Sequence, residues 1–78
     1  MKNRDAKKIT SKLLDEFEKI RKEKELSHDK LANLAGINRS TVSLLASKKR
    51  IPTILTCLKI SDALEISLAD LLKSISDN

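Results

Sequence analysis

The sequence predicts an all-α domain of five short helices, and three observations carry that prediction. Gly36 and Pro52 are the single glycine and single proline among 78 residues, so little interrupts helix formation. Apolar residues recur three and four apart in successive stretches, the period of a helix with one face on a core. Ser27, Asn38, Thr53 and Ser67 each stand just before such a stretch. There a short side-chain oxygen can accept from the first unpaired amides of a helix.

Residues 1–8 are polar and basic and are expected to be a frayed tail. The first helix is expected over about residues 9–24, where Ile9, Leu13, Phe17 and Ile20 form an apolar stripe flanked by Leu14 and Arg21. Its other face mixes Glu and Lys, as in the i,i+4 pair Glu18 and Lys22, and reads as solvated. Leu26 then closes the helix onto the core.

The stretch 27–47 organises the rest. A second helix over about 28–35 carries Leu31, Ala32, Leu34 and Ala35, and a third over about 39–47 carries Val42, Leu44 and Leu45. Gly36 lies between them and can take positive φ without a Cβ clash, so it can end one helix and redirect the chain. Two short helices about a tight corner make a helix-turn-helix. Ala32 is small where the helices approach, and Val42 and Leu45 place one face of the third helix on the core. Its outer edge is then Arg39, Ser40, Ser43, Leu44 and Ser47, followed by the basic run Lys48-Lys49-Arg50.

Pro52 restricts the residue before it, and Thr53 caps a fourth helix over about 54–64. The expected apolar stripe of that helix is Ile54, Leu55, Leu58, Ser61 and Leu64, with Cys57 and Ile60 beside it. Glu65-Ile66 is the connection. Ser67-x-x-Asp70 resembles a capping box and opens a fifth helix with Leu68, Leu71, Leu72 and Ile75. The single domain therefore spans about 9–75, with 76–78 as a short tail. Its core is small, mainly Leu and Ile around Phe17, and a second subunit is expected to support it.

Charge is unevenly placed. Residues 1–50 carry fourteen Lys/Arg against seven Asp/Glu, and residues 51–78 carry two against four, so +7 faces −2 within a net +5. The basic half holds the helix-turn-helix, as a polyanion-binding surface requires. Other classes lack support. Cys57 is the lone cysteine and His28 the lone histidine, which leaves no disulfide and no zinc cluster. No Gly-rich phosphate loop or nucleophile–base arrangement is evident, so the chain is not expected to be an enzyme or to carry a cofactor or small-molecule ligand. There is no apolar run after the first basic residues and none long enough to span a membrane, so the chain is expected to be cytoplasmic.

The run from Phe17 to Leu72 resembles the phage repressor and Cro-type (XRE) family of DNA-binding domains. The matching pieces are Ile20-Arg21, Leu26-Ser27, Leu31-Ala32, Gly36-Ile37, Thr41-Val42-Ser43, Arg50-Ile51-Pro52 and Leu64-Glu65-Ile66-Ser67-Leu68 followed by Leu71-Leu72. The resemblance implies a five-helix, lambda-repressor-like domain that binds double-stranded operator DNA as a two-fold dimer. The third helix would lie in the major groove. Arg39, Ser40, Ser43 and Leu44 would then read bases: Arg39 can donate twice to guanine, and Leu44 can cover a thymine methyl. His28, Thr41, Ser47, Lys48, Lys49, Arg50 and Thr53 would contact phosphates. Ile66, Leu68, Leu72 and Ile75 would form the dimer interface.

Three departures stand out. The family often has Gln where this chain has His28, Glu where it has Ala46, and Gly where it has Lys48. Loss of the Glu removes a brace on the third helix, and loss of the Gly bears on the shape of the next loop. The expected function is a sequence-specific transcription regulator, a repressor on a near-palindromic operator. The alternative is a helical protein-interaction module, antitoxin-like, with little or no DNA binding.

Overall fold

The computed structural model describes residues 3–76, and these form five helices: α1 Asn3–Glu23, α2 His28–Ala35, α3 Arg39–Ala46, α4 Ile54–Ala63 and α5 Leu68–Ser76. Helix α2 packs on α3 and α4, α1 packs on α3 and α5, and α4 meets α5. The core between them is Leu13, Leu14, Phe17, Leu31, Ala32, Ala35, Val42, Leu45, Cys57, Ile60, Leu64, Leu68 and Ile75.

All four expected N-caps are made. Ser27 Oγ accepts from the Lys30 amide at 3.0 Å, Asn38 Oδ1 from Ser40 at 3.1 Å, Thr53 Oγ1 from Thr56 at 3.1 Å and Ser67 Oγ from Asp70 at 3.2 Å. The helix ends share one design. At α2, the Ile37 amide donates to the Ala32 carbonyl at 3.0 Å and Gly36 to Asn33 at 3.3 Å, with Gly36 left-handed at φ 68°. The same pair of bonds closes α1, α3 and α4, but the left-handed residue there is Glu25, Lys48 or Glu65, with φ of 58°, 60° and 60°. A Cβ in that region costs about 1 kcal/mol or more, which the paired bonds offset, helped at Glu25 and Glu65 by the apolar Leu26 and Ile66 that follow.

Four expectations are corrected. Helix α1 begins at Asn3, so residues 3–8 extend the helix rather than forming a tail, while residues 1–2 lie outside the described part. No Gly or Pro stops propagation there, Asp5 lies in the first turn, and adding residues to a nucleated helix costs little. Helix α5 runs through Ser76, and the rest of the expected tail lies outside the described residues.

Helix α4 is rotated from the expected stripe. Its core face is Cys57, Ile60, Ser61 and Leu64, whereas Ile54, Leu55 and Leu58 are 68 %, 59 % and 47 % exposed. Apolar residues nearly encircle this helix, so period alone could not choose a face. The small Cys57 and Ser61 permit a close approach, and the Ser61 hydroxyl is satisfied by donating to the Cys57 carbonyl at 2.7 Å. Burial pushes the Cys57 thiol above its ordinary pKa, so it serves as a small core residue.

Two of the four expected interface residues, Leu68 and Ile75, are core residues of this chain, each 7 % exposed. Ile66 and Leu72 are half-buried against the same core. Helix α5 thus turns its apolar side toward α1 of its own chain, because a domain this small uses most of its large apolar residues internally.

Candidate nucleic-acid interface

Helix α3 is held by two anchors and a corner. Val42 and Leu45 are each 3 % exposed, and the α2–α3 corner is fixed by Gly36 and the Asn38 cap. This leaves Arg39, Ser40 and Ser47 exposed and Thr41, Ser43 and Leu44 half-buried along the outer edge. Lys49 and Arg50 continue the exposed surface past the end of α3, and Thr53 is exposed at the start of α4.

The side chains on this face are already engaged with one another. Arg39 Nε ion-pairs with Asp29 Oδ1 of α2 at 2.6 Å, across an open surface where both side chains are about two-thirds exposed. The Ser40 hydroxyl donates to Asn38 Oδ1 at 3.1 Å. The Ser47 hydroxyl turns back to the Ser43 and Leu44 carbonyls at 3.0 and 3.2 Å. Arg50 Nη1 donates to Thr41 Oγ1 at 3.3 Å, which draws the loop cation against the flank of α3. Thr53 Oγ1 caps α4 and donates to Thr56 Oγ1 at 3.0 Å.

Lys48 is engaged with α1. It occupies the left-handed corner after α3, and its Nζ meets Asp15 Oδ1 at 2.9 Å and donates to Ser11 Oγ at 2.7 Å, both on α1. It is a strut between the end of α3 and α1 while remaining exposed. The corner keeps its shape without glycine, since Lys49 N–H reaches the Leu44 carbonyl at 2.8 Å. The strut ties the end of α3 to the body of the domain.

A second tie reaches the middle of α3. Arg21 grips Glu18 with Nε to Oε1 at 3.0 Å and Nη2 to Oε2 at 2.8 Å, and its Nη1 donates to the Leu26 carbonyl. The hydrogen bonds from Arg21 hold the Glu18 carboxyl below the usual carboxylate range against the opposing effect of partial burial, with a smaller contribution from His28. His28 Nε2 lies 3.1 Å from Glu18 Oε1, and His28 Nδ1 lies 3.4 Å from Ser43 Oγ. Glu18, Arg21 and Asp29 thus shape the candidate face, although none is expected as a site residue from the sequence. Glu18 had the pattern of a solvated helix face, and only interhelix geometry shows otherwise.

The profile of the helix-turn-helix family HTH_3 matches residues 17–71, from the last core residue of α1 almost to the end of the α5 core. The chain belongs to that family. Its domains are of the XRE type, and the family is one of DNA-binding transcription regulators, not of enzymes. Comparisons with curated proteins and with solved structures give no match. Among the described residues of this XRE-type domain, no His, Cys, Asp or Glu group could hold a metal ion, and no helix is long and apolar enough to cross a membrane.

Proposed function

We propose that this XRE-type protein is a cytoplasmic repressor that occupies a near-palindromic operator as a homodimer, with α3 in the major groove. The observation that carries the reading is the outer edge of α3. Arg39 stands exposed at the first turn of a helix pinned through Val42 and Leu45, and Lys49 and Arg50 are exposed past the far end of that helix. A guanidinium there can reach guanine O6 and N7 while the loop cations meet phosphates. Ser40, Ser43 and Leu44 lie along the same edge and complete the base-reading set. For the second copy, Ile54, Leu55 and Leu58 of α4 offer an exposed apolar strip that an isologous contact would cover.

The same strip favours a second reading, a protein-interaction module whose partner is another protein. The two differ in what DNA selection returns. Selection from a random duplex pool should yield two half-sites about one helical turn apart, and Arg39→Ala should weaken binding to them by about 1–3 kcal/mol while sparing non-specific binding. Lys49→Ala should weaken binding to all sequences and flatten the salt dependence. No retention of any duplex at low salt would reject the regulator and leave the interaction module.

A further inference from the structure

Helix α1 and the loop after α3 line a groove of about 390 Å³, within the size range of small-molecule sites. We propose that this groove is an effector site for an amphiphilic organic anion, an alkyl chain ending in a carboxylate, and that its occupant competes with DNA for Lys48 and Arg50. The site stands apart from the proposed DNA reading, whereas the competition rests on the loop cations meeting phosphates.

One wall exists because α1 begins at Asn3 instead of leaving residues 3–8 as a tail. That extension brings Ala6 and Lys7 to the same groove as Ile51. The floor is Leu14, 6 % exposed, whereas Ile51 is 78 % exposed at the rim. An isoleucine so open to water is stabilised by an alkyl chain laid against it, because apolar area is removed from water on both partners. The hydroxyls in the lining are already engaged. Thr10 Oγ1 donates to the Ala6 carbonyl at 2.8 Å, and Ser11 Oγ accepts from Lys48 Nζ at 2.7 Å.

The groove offers a polar ligand mainly cations, Lys7, Lys48 and Arg50. Among the described residues no carboxylate lines it, and Asp15 stands beside it paired with Lys48 at 2.9 Å. An apolar floor under a cationic rim selects a molecule that is apolar along its length and anionic at one end. A phosphodiester fits less well, since it brings charge but nothing to cover Leu14 and Ile51. A neutral alkyl compound covers them and gains nothing from the cations.

Two of these cations lead to α3. Lys48 ties its end to Ser11 and Asp15, and Arg50 donates to Thr41 Oγ1 on its flank at 3.3 Å. A carboxylate in the groove draws both toward α1 and offsets their charge, so the phosphate contacts they make are weakened. By linkage, bound DNA weakens the anion to the same degree.

The test uses octanoate on the full chain, with acetate as a probe of charge alone and octanol as a probe of the alkyl chain alone. Octanoate should bind with a dissociation constant of about 1 mM or tighter, with amide shifts centred on Ala6, Lys7 and Ile51. Acetate and octanol should each bind about fivefold more weakly or worse. Lys7→Gln should weaken octanoate about three- to tenfold and leave octanol unchanged. Ala6→Trp, at an exposed position, should fill the groove and abolish octanoate binding while keeping its helices by circular dichroism and its affinity for DNA. Against an equal concentration of acetate, saturating octanoate should weaken duplex binding at low salt about fivefold or more in the wild type and not in Ala6→Trp. Octanoate binding no tighter than its two controls, or undiminished in Ala6→Trp, would overturn the site. Bound octanoate that leaves duplex affinity unchanged would overturn the competition. No retention of duplex without octanoate would reject the DNA reading alone, and the octanoate titration would still decide the site.

Discussion

Arg39 and Asp29 hold each other at 2.6 Å across the mouth of the helix-turn-helix, the cation at the start of α3 and the carboxylate at the start of α2. The pair is open to water, so it adds little stability. Its effect is on binding: a carboxylate beside the proposed base-reading arginine competes with DNA for it and repels phosphate. Asp29→Ala should leave folding stability within about 0.5 kcal/mol and tighten non-specific DNA binding severalfold at low salt. Discrimination between specific and random duplexes should fall correspondingly. Fluorescence anisotropy with both kinds of duplex checks this, and weaker binding to both would contradict it.

The left-handed corners give a second prediction. Lys48→Ala keeps a Cβ at φ 60° and loses the contacts to Asp15 and Ser11, whereas Lys48→Gly loses the same contacts and relieves the backbone. The Gly variant should therefore be more stable than the Ala variant by about 1 kcal/mol. At Glu65, exposed and with φ also 60°, replacement by Gly should raise stability outright by about 0.5–1 kcal/mol. Urea titrations of the four proteins, wild type included, decide both points.

Leu64 is fully buried, at 0 % exposure, at the end of α4. Truncating such a residue removes its transfer energy and leaves a cavity, so Leu64→Ala should cost about 2–5 kcal/mol. In a domain of this size that is a large part of the whole, and thermal melting should show much of the variant unfolded at room temperature.

Acid should act through Glu18. Arg21 stabilises its charged form in the folded domain, so its folded-state pKa lies below its unfolded one. Such a group contributes stability above the unfolded value and loses it as pH falls through the folded value. The wild type should weaken as pH falls below the ordinary carboxylate range, about 4 and lower. Glu18→Gln should be less stable at neutral pH and show a shallower acid slope, measurable by denaturation at a series of pH values.

What the sequence made legible was local. Ser27, Asn38, Thr53 and Ser67 cap helices through side chains three residues or fewer from their partners, and all four could be read from residue type and position. Gly36 marked its corner because only glycine adopts that backbone without cost. Glu25, Lys48 and Glu65 adopt it too, but residue type gave no sign, since there the hydrogen-bonded ends impose the conformation. The face of α4 was misjudged because apolar residues surround it and only neighbouring helices choose between them. The exposed edge of α3 followed from Val42 and Leu45. The strut from Lys48 to Asp15 and the chain through His28 join residues far apart in sequence, and no periodicity encodes them.

Helix α3 has only eight residues. A segment that short does not hold its shape alone in water. The surface offered to a ligand therefore exists only while the whole bundle is intact, and the measured dissociation constant grows in inverse proportion to the intact fraction. Warming toward the melting point should release bound nucleic acid before any contacting group is altered. A substitution at Ile75, at the far end of the chain, should shift that release temperature as surely as one on the contact face.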